Sequence, residues 1–179
     1  MADYTKTAIS DVIGILWKEL KDNGALVETD YPVVGQVSPN TLPTYLIPIF
    51  PVQEDETKNL ISDPNAPYLV YDFDTMSYDV EWVICKERLT FKIYAPDFDK
   101  VVEIMNIMLD LFRRFDESAA TVNAYVKTVN PTSPFRYKYF SLTEANSPDP
   151  ADELAGRLEA DISIVYAYTR NLNTEGRFA

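Results

Sequence analysis

The chain from Glu87 to Phe115 has the sequence ERLTFKIYAPDFDKVVEIMNIMLDLFRRF. Its first nine residues alternate between two rows, and this period of two predicts a strand with one mainly apolar face. The inward row contains Glu87, Leu89, Phe91, Ile93 and Ala95. Pro96 has no N–H to donate to a strand ladder, and Asp97 can cap the first turn of a helix.

An amphipathic helix is predicted after Asp97. Its apolar residues recur at spacings of three and four and form one stripe: Val101, Ile104, Met105, Met108, Leu109, Phe112 and Phe115. A helix with one apolar stripe buries it against a sheet, so strand and helix are half of a two-layer domain. We expect Met105, Met108 and Phe112 to pack on one sheet face. That face is formed by Leu89, Phe91, Ile93, Ile162, Ile164 and Tyr166.

The composition excludes several classes of chemistry. The 179 residues fit one domain, and 16 Lys plus Arg against 28 Asp plus Glu give a net charge of −12, which repels nucleic acid in general. A single cysteine, Cys85, excludes an internal disulfide and a cysteine-based zinc site. The absence of His removes the usual general base and the Ser-His and Cys-His pairs. We therefore expect no catalytic residue, no metal site and no cofactor.

The N-terminal third predicts a helix followed by irregular chain. Apolar spacing from Ala8 to Leu20 predicts a helix that Gly24 ends, and its charges argue against a signal peptide or membrane span. Residues Leu26 to Val37, with Pro32, predict an edge strand or a strand-like arm. Repeated prolines predict that residues 38–66 form an inserted, projecting arm. These prolines are Pro39, Pro43, Pro48, Pro51 and Pro64.

The remaining segments predict further strands. A strand is expected over Tyr68–Phe73, a turn over Asp74–Ser77, and a second strand from Tyr78 to Ile84, with a bulge or turn at Cys85–Arg88 that resets the alternation. The other expected elements are a short helix at Asp116–Val126, strands at Phe135–Leu142 and Leu158–Tyr168, a loop at Asn146–Pro150 and a tail over residues 170–179. The sequence thus predicts one α+β domain over residues 1–179, with a mixed, mainly antiparallel sheet packed by two main helices.

Acidic residues cluster around the expected turn. Asp72, Asp74, Asp79 and Glu81 could ligate a hard cation and support a small metal-dependent hydrolase. Asp is equally favoured beside a turn for its backbone hydrogen bonds, which is the simpler interpretation.

Basic and aromatic residues indicate surfaces for assembly. Lys86, Arg88 and Lys92 share the outward row of the strand, either as a solvated face or as a strip that meets an acidic neighbour or passing DNA. Aromatic residues are enriched at protein–protein interfaces, and several lie in irregular segments here. The predicted interface residues are Tyr45, Leu46, Ile47, Ile49, Phe50, Lys86, Arg88, Lys92 and Phe178.

The order of elements resembles lambda-like bacteriophage tail terminator, or tail completion, proteins. The resemblance lies in an N-terminal helix, a strand, a Pro-led strand at Ala66–Tyr71, the long strand Glu87–Pro96, a helix, a Tyr/Arg strand at Phe135–Phe140 and a final strand at Ala160–Tyr168. The Pro-rich insertion between Val37 and Pro67 departs from the shorter family members.

The resemblance implies a structural virion protein without enzyme activity. Such a protein forms a ring, commonly a hexamer, on the last tail-tube ring, ends growth of the tube or sheath, and meets the head connector. The partners implied are further copies of the chain, the tube or sheath protein and the connector protein. DNA would pass through the lumen only as cargo, no membrane is involved, and assembly takes place in the host cytoplasm. The alternative is another neck, head-closure or baseplate protein.

Overall fold

The computed structural model describes residues 7–33, 44–52, 61, 63, 65–78, 84–146, 148–150 and 157–170. Within these residues the helices are α1 (Ala8–Asp22), α2 (Phe98–Glu117) and α3 (Ala119–Val129). The strands are β1 (Ile49–Pro51), β2 (Tyr68–Tyr78), β3 (Ile84–Ala95), β4 (Phe135–Ala145), β5 (Asp149–Pro150) and β6 (Leu158–Arg170). They form one mixed sheet in the order β1-β2-β3-β6-β4, with β5 also paired to β6. The predicted α+β class is confirmed.

The predicted strand and helix around Pro96 are both confirmed. Every second residue of β3 from Cys85 to Ala95 is buried, so the period of two continues through the whole strand. The side chain of Asp97 accepts a hydrogen bond of 2.8 Å from the backbone N–H of Lys100, and this N-cap starts α2 at Phe98.

The core lies between α2 and the centre of the sheet. The ring of Phe112 stacks on Phe91 at 6.3 Å and on Phe140 at 6.4 Å between centroids. The predicted burial of Met108 and Phe112 is confirmed, while Met105 is only partly buried at the rim of the core. Leu111, outside the predicted stripe, is also buried.

One residue of α1 joins the three helices. The carboxylate of Glu19 binds the guanidinium of Arg114 on α2 at 2.5 Å and accepts a hydrogen bond of 2.5 Å from Tyr125 on α3. The predicted end of α1 is also confirmed. Gly24 has a φ of 71°, and the N–H of Ala25 reaches back to the carbonyl of Leu20 at 3.0 Å, which is a glycine C-terminal cap.

The strand predicted at Leu26–Val37 is wrong over its described part. A 3-10 turn occupies Glu28–Asp30, and the only pairing described there is an isolated bridge from Pro32 to Tyr45. The cause is the buried Tyr31, whose hydroxyl donates to the carbonyl of Pro67 at 2.5 Å and ties the segment to the start of β2.

The turn predicted at Asp74–Ser77 is also wrong, because β2 continues through it to Tyr78. Asp74 pairs with Arg88 on β3, and opposite charges at paired positions offset the low strand propensity of Asp. The irregularity expected at Cys85–Arg88 lies on the other strand, between Thr75 and Ser77. The connection from β2 to β3, at 79–83, lies outside the described residues.

The predicted projecting arm is not confirmed, and its centre belongs to the sheet. β1 pairs in parallel with β2, with Ile49 opposite Leu69. The carbonyl of Pro48 accepts from Leu69, and the N–H of Val52 donates to Tyr71, both at 2.9 Å. Proline is tolerated here because β1 is an edge strand. The other arm residues, at 38–43, 53–60, 62 and 64, lie outside the described residues.

The C-terminal part of the chain forms three strands, of which two were predicted. β4 and β6 confirm the predicted strands and extend them by a few residues. The loop predicted at Asn146–Pro150 contains the short strand β5, which pairs with Leu158 and Glu159 of β6. The predicted tail beyond Arg170 lies outside the described residues.

Candidate interaction surface

The sheet has one face away from the helices, which we call the open face. The helices pack on the side of Phe91 and Phe140, and strict alternation along β3 therefore turns Lys86, Arg88 and Lys92 to the opposite side. All three are partly exposed. The outward position predicted for this basic row agrees with the fold.

Acidic side chains accompany the basic row on the open face. Arg88 lies opposite Asp74 on β2, and Lys92 lies opposite Asp161 on β6. A carboxylate at a paired position reduces the positive field of its neighbour. The open face is therefore balanced in charge along β3, which argues against a nucleic-acid site. The neighbouring outward side chains of β6 are buried, so the centre of this face is not solvated. They belong to Ser163, Val165 and Ala167.

The acidic cluster considered for a cation is only partly described. Asp72 and Asp74 are exposed on the open face of β2, while Asp79 and Glu81 lie outside the described residues. In the described part of the chain, no three His, Cys, Asp or Glu side chains are grouped so as to hold a metal. Two carboxylates supply few of the six to eight oxygens that calcium takes.

The predicted interface residues of the arm divide into two groups. Ile49 and Phe50 are buried in the chain's own core, so their prediction as partner contacts is corrected. Burial followed from pairing with β2, which the proline pattern did not indicate. Tyr45 and Leu46 are partly exposed, and Ile47 is exposed. Phe178 lies outside the described residues.

Two edges of the sheet carry charged groups that were not singled out from the sequence as a pair. We call Asp72 and Asp74 of β2 the acidic edge, and Lys127 of α3 with Arg136 and Lys138 of β4 the basic edge. All five side chains are exposed. The sequence signal was present as Asp-x-Asp and Arg-x-Lys within strands. The strand order puts β2 and β4 on opposite sides of the sheet, and the described pairing of β2 with the edge strand β1 ends at Tyr71, before Asp72.

Two carboxylates, those of Glu87 and Asp11, are buried on the helix side of the sheet. Glu87 of β3 accepts hydrogen bonds from Tyr166 at 2.7 Å and Tyr168 at 2.5 Å. Both tyrosines are on β6, and Glu87 is 3% exposed. Because two hydroxyls satisfy it, a carboxylate can occupy the inward row of an otherwise apolar strand.

The second buried carboxylate belongs to Asp11 of α1. It accepts hydrogen bonds from Tyr137 at 3.0 Å, from Asn130 at 2.9 Å and from Ser133. The bonds tie α1 to the α3–β4 connection and to β4. Like Glu87, this group is closed off from solvent, so its arrangement stabilises the fold and offers no access to a substrate.

Burial raises the pKa of Tyr31, Tyr137 and Tyr166 well above the ordinary value, and nearby carboxylates raise it further. A tyrosine whose pKa is raised on folding makes its full contribution to stability below the unfolded pKa of about 10. That contribution is lost as pH rises from there toward the folded pKa. We expect the free energy of unfolding to fall above about pH 10, by about 1.4 kcal/mol per pH unit for each such tyrosine.

The fall in the free energy of unfolding at alkaline pH can be measured by urea denaturation at pH 8, 10 and 11. Tyr166→Phe should make the loss between pH 10 and 11 smaller than in the wild type. The matched control is Tyr139→Phe, at a position 37% exposed, and this variant should lose as much stability between pH 10 and 11 as the wild type. Equal wild-type midpoints at pH 8 and 11 would contradict the expectation.

None of the described helices is long and apolar enough to cross a lipid bilayer. No protein-family model matches the chain, and no curated protein matches its sequence.

Proposed function

We propose that the chain is a structural virion protein that forms a ring at the head-proximal end of a phage tail. In this role the ring ends growth of the tail tube or sheath and joins the tail to the head connector. The protein acts by binding other proteins, and it has no enzymatic activity.

The observation that carries the proposal is the one-sided layering of the sheet. The helices cover one face. On the other face most described side chains of β2, β3 and β4 are at least partly exposed and can contact another protein, whereas Ser163, Val165 and Ala167 of β6 are buried. The order of helix, Pro-led strand, long strand, helix and two final strands supports the resemblance to tail terminators. The described part of Leu26–Val37 forms no named strand, however, and α3 is an additional helix. Catalysis would need a cleft with convergent reactive groups, whereas the buried carboxylates here are consumed by internal hydrogen bonds.

The charge of the chain fits a ring through which DNA passes. A net charge of −12 repels phosphates, so DNA can slide through a lumen without adhering to it. Weak binding of duplex DNA is therefore expected, and it should vanish by about 0.2 M salt because few phosphates are neutralised. Fluorescence anisotropy of a labelled duplex across a salt series measures this. Binding that persists at higher salt would contradict the proposed passive lumen.

The proposal is tested by imaging and sizing the purified protein. Light scattering after size exclusion should give one discrete oligomer, and negative-stain microscopy should show rings with a central opening. Added to isolated tail tubes, the rings should bind one end and stop further growth. A protein that stays monomeric both alone and with tubes overturns the proposal.

The hydrolase alternative has its own test. Calorimetric titration with magnesium or manganese should show no binding under the proposed structural role. Turnover of a phosphoester that depends on either ion and is lost in Asp72→Asn would favour the hydrolase instead.

A further inference from the structure

The charged side chains of the acidic and basic edges form no close ion pair within the described residues, although Asp74 lies opposite Arg88 on β3. None of Asp72, Asp74, Lys127, Arg136 and Lys138 forms an ion pair with another described residue. Some charged residues of α2, in contrast, form ion pairs within the helix, such as Arg113 with Asp110. Lys127 and Arg136 line one groove, and Lys138 follows two residues after Arg136 on β4, so a local basic surface exists on a chain with a net charge of −12.

Apolar groups accompany the charges at both edges. Met76 of β2 is 41% exposed, and Tyr139 of β4 is 37% exposed. A groove of about 620 Å³ also runs between α3 and the start of β4. Lys127 and Arg136 line this groove together with apolar side chains, which include Ala120, Ala124, Pro134 and Phe135. Aromatic, methionine and arginine side chains are enriched at the centres of protein interfaces.

The backbone at the start of β4 is already occupied. The side-chain amide of Asn123 donates to the carbonyl of Tyr137 at 2.9 Å and accepts from its N–H at 2.8 Å. This contact covers the strand edge as a neighbouring strand would. A partner at the basic edge therefore docks through side chains and the groove, and not by adding a strand at Tyr137.

We propose that the acidic edge of one copy docks on the basic edge of the next copy, so that the ring closes head to tail. The inference rests on the proposed ring and deepens it by naming the two surfaces. A ring needs two different surfaces on each subunit, and the two opposite edges of the sheet supply them. Two-fold pairing of like edges would place like charges together, which is unfavourable.

Charge complementarity also explains how strongly acidic copies can associate. Each copy carries −12 and repels the others at long range, so the basic edge is the favourable landing point for an acidic segment. Exposed charge pairs are screened by salt over a distance of about 8 Å at physiological ionic strength. Assembly of the wild type should therefore weaken as sodium chloride is raised.

The experiment exchanges the charges of the two edges. The basic-edge variant carries Arg136→Glu and Lys138→Ser. The acidic-edge variant carries Asp72→Lys and Asp74→Ser, with Ser at the second position because Asp74 lies opposite Arg88 within the chain. A combined variant carries all four changes.

The matched control changes two exposed acids at the end of α2, Asp116→Lys and Glu117→Gln. It alters the net charge by the same amount as the acidic-edge variant. A positive charge near the C-terminus of a helix is favourable, so the control should fold. Circular dichroism melting verifies that every variant is folded before its assembly is measured.

We expect the wild type and the control to form rings in sedimentation and native mass spectrometry. Each edge variant alone should associate at least about tenfold more weakly, because like charges then meet at every junction. An equimolar mixture of the two edge variants should form rings with equal numbers of each, and the combined variant should form rings alone.

Several outcomes would overturn the inference. If the wild type forms rings and either edge variant does so equally well, the edges are not the interface, although the proposed function stands. If the mixture and the combined variant stay monomeric, charge pairing between the edges is refuted. A wild type that is monomeric, or only a two-fold dimer, overturns both the inference and the proposed ring.

Discussion

Replacing Phe112 with Ala should lower the free energy of unfolding by about 3–5 kcal/mol, the usual cost of emptying a buried aromatic site. The side chain is 1% exposed and lies between Phe91 of β3 and Phe140 of β4, with Phe115 at 6.5 Å. Neighbouring rings belong to three different elements, so they cannot all move into the space that Phe112 leaves. The loss includes both the buried apolar area and the remaining cavity.

Phe98 offers a control on the same helix. It is 56% exposed at the first turn of α2, so Phe98→Ala should change the stability by less than about 0.5 kcal/mol. Urea denaturation of both variants measures the difference in midpoint at constant slope. Equal midpoints for Phe112→Ala and the wild type would show that α2 does not pack on the sheet through this ring.

Local patterns predicted the centre of the fold well. The alternation of β3, the cap at Asp97 and the stripe of α2 each depend on residues close together in the chain. Each pattern reports which side of an element is apolar, and burial followed as expected. The stripe was less accurate at its margins, where Leu111 is buried and Met105 is at the rim. At these positions the neighbouring elements, and not the period alone, decide exposure.

Errors arose where pairing with a distant segment overrides a local preference. Asp74 and Ser77 favour turns by themselves, yet β2 stays extended because β3 pairs with it as far as Cys85. Ile49 and Phe50 belong to the sheet although prolines flank them. β1 is an edge strand, so the N–H groups that the prolines lack are not needed for pairing on its outer side. Neither outcome can be derived from spacing, since both depend on which strand lies alongside.

The candidate surface was predictable only in part. The outward position of Lys86, Arg88 and Lys92 follows from alternation, but their acidic partners Asp74 and Asp161 depend on register between strands. The two charged edges depend on strand order, which the sequence does not contain as a local signal. The buried Glu87 was placed in the correct row, whereas the tyrosines that satisfy it come from β6.

Removing residues 40–64 should abolish cooperative folding, because the deletion takes away β1 and the buried Ile49, Phe50 and Ile61. This expectation replaces the one that a projecting arm would imply, namely a folded domain that fails only to assemble. Losing one large buried side chain costs about 2–5 kcal/mol, and a domain has only about 5–15 kcal/mol of stability in total. Three such losses amount to about 6–15 kcal/mol, as much as the whole stability of a domain, and the exposed edge of β2 adds to them.

A pair of point variants separates packing from assembly without removing the segment. Ile49→Ala, at a position 5% exposed, should lower the free energy of unfolding by about 2–5 kcal/mol. Ile47→Ala, two residues away and 43% exposed, should change it by less than about 0.5 kcal/mol. Circular dichroism melting and urea denaturation measure both variants and the deletion. If the deletion protein melts cooperatively at the wild-type temperature, β1 does not contribute to the core, and Ile49 and Phe50 return as candidates for contact with a partner.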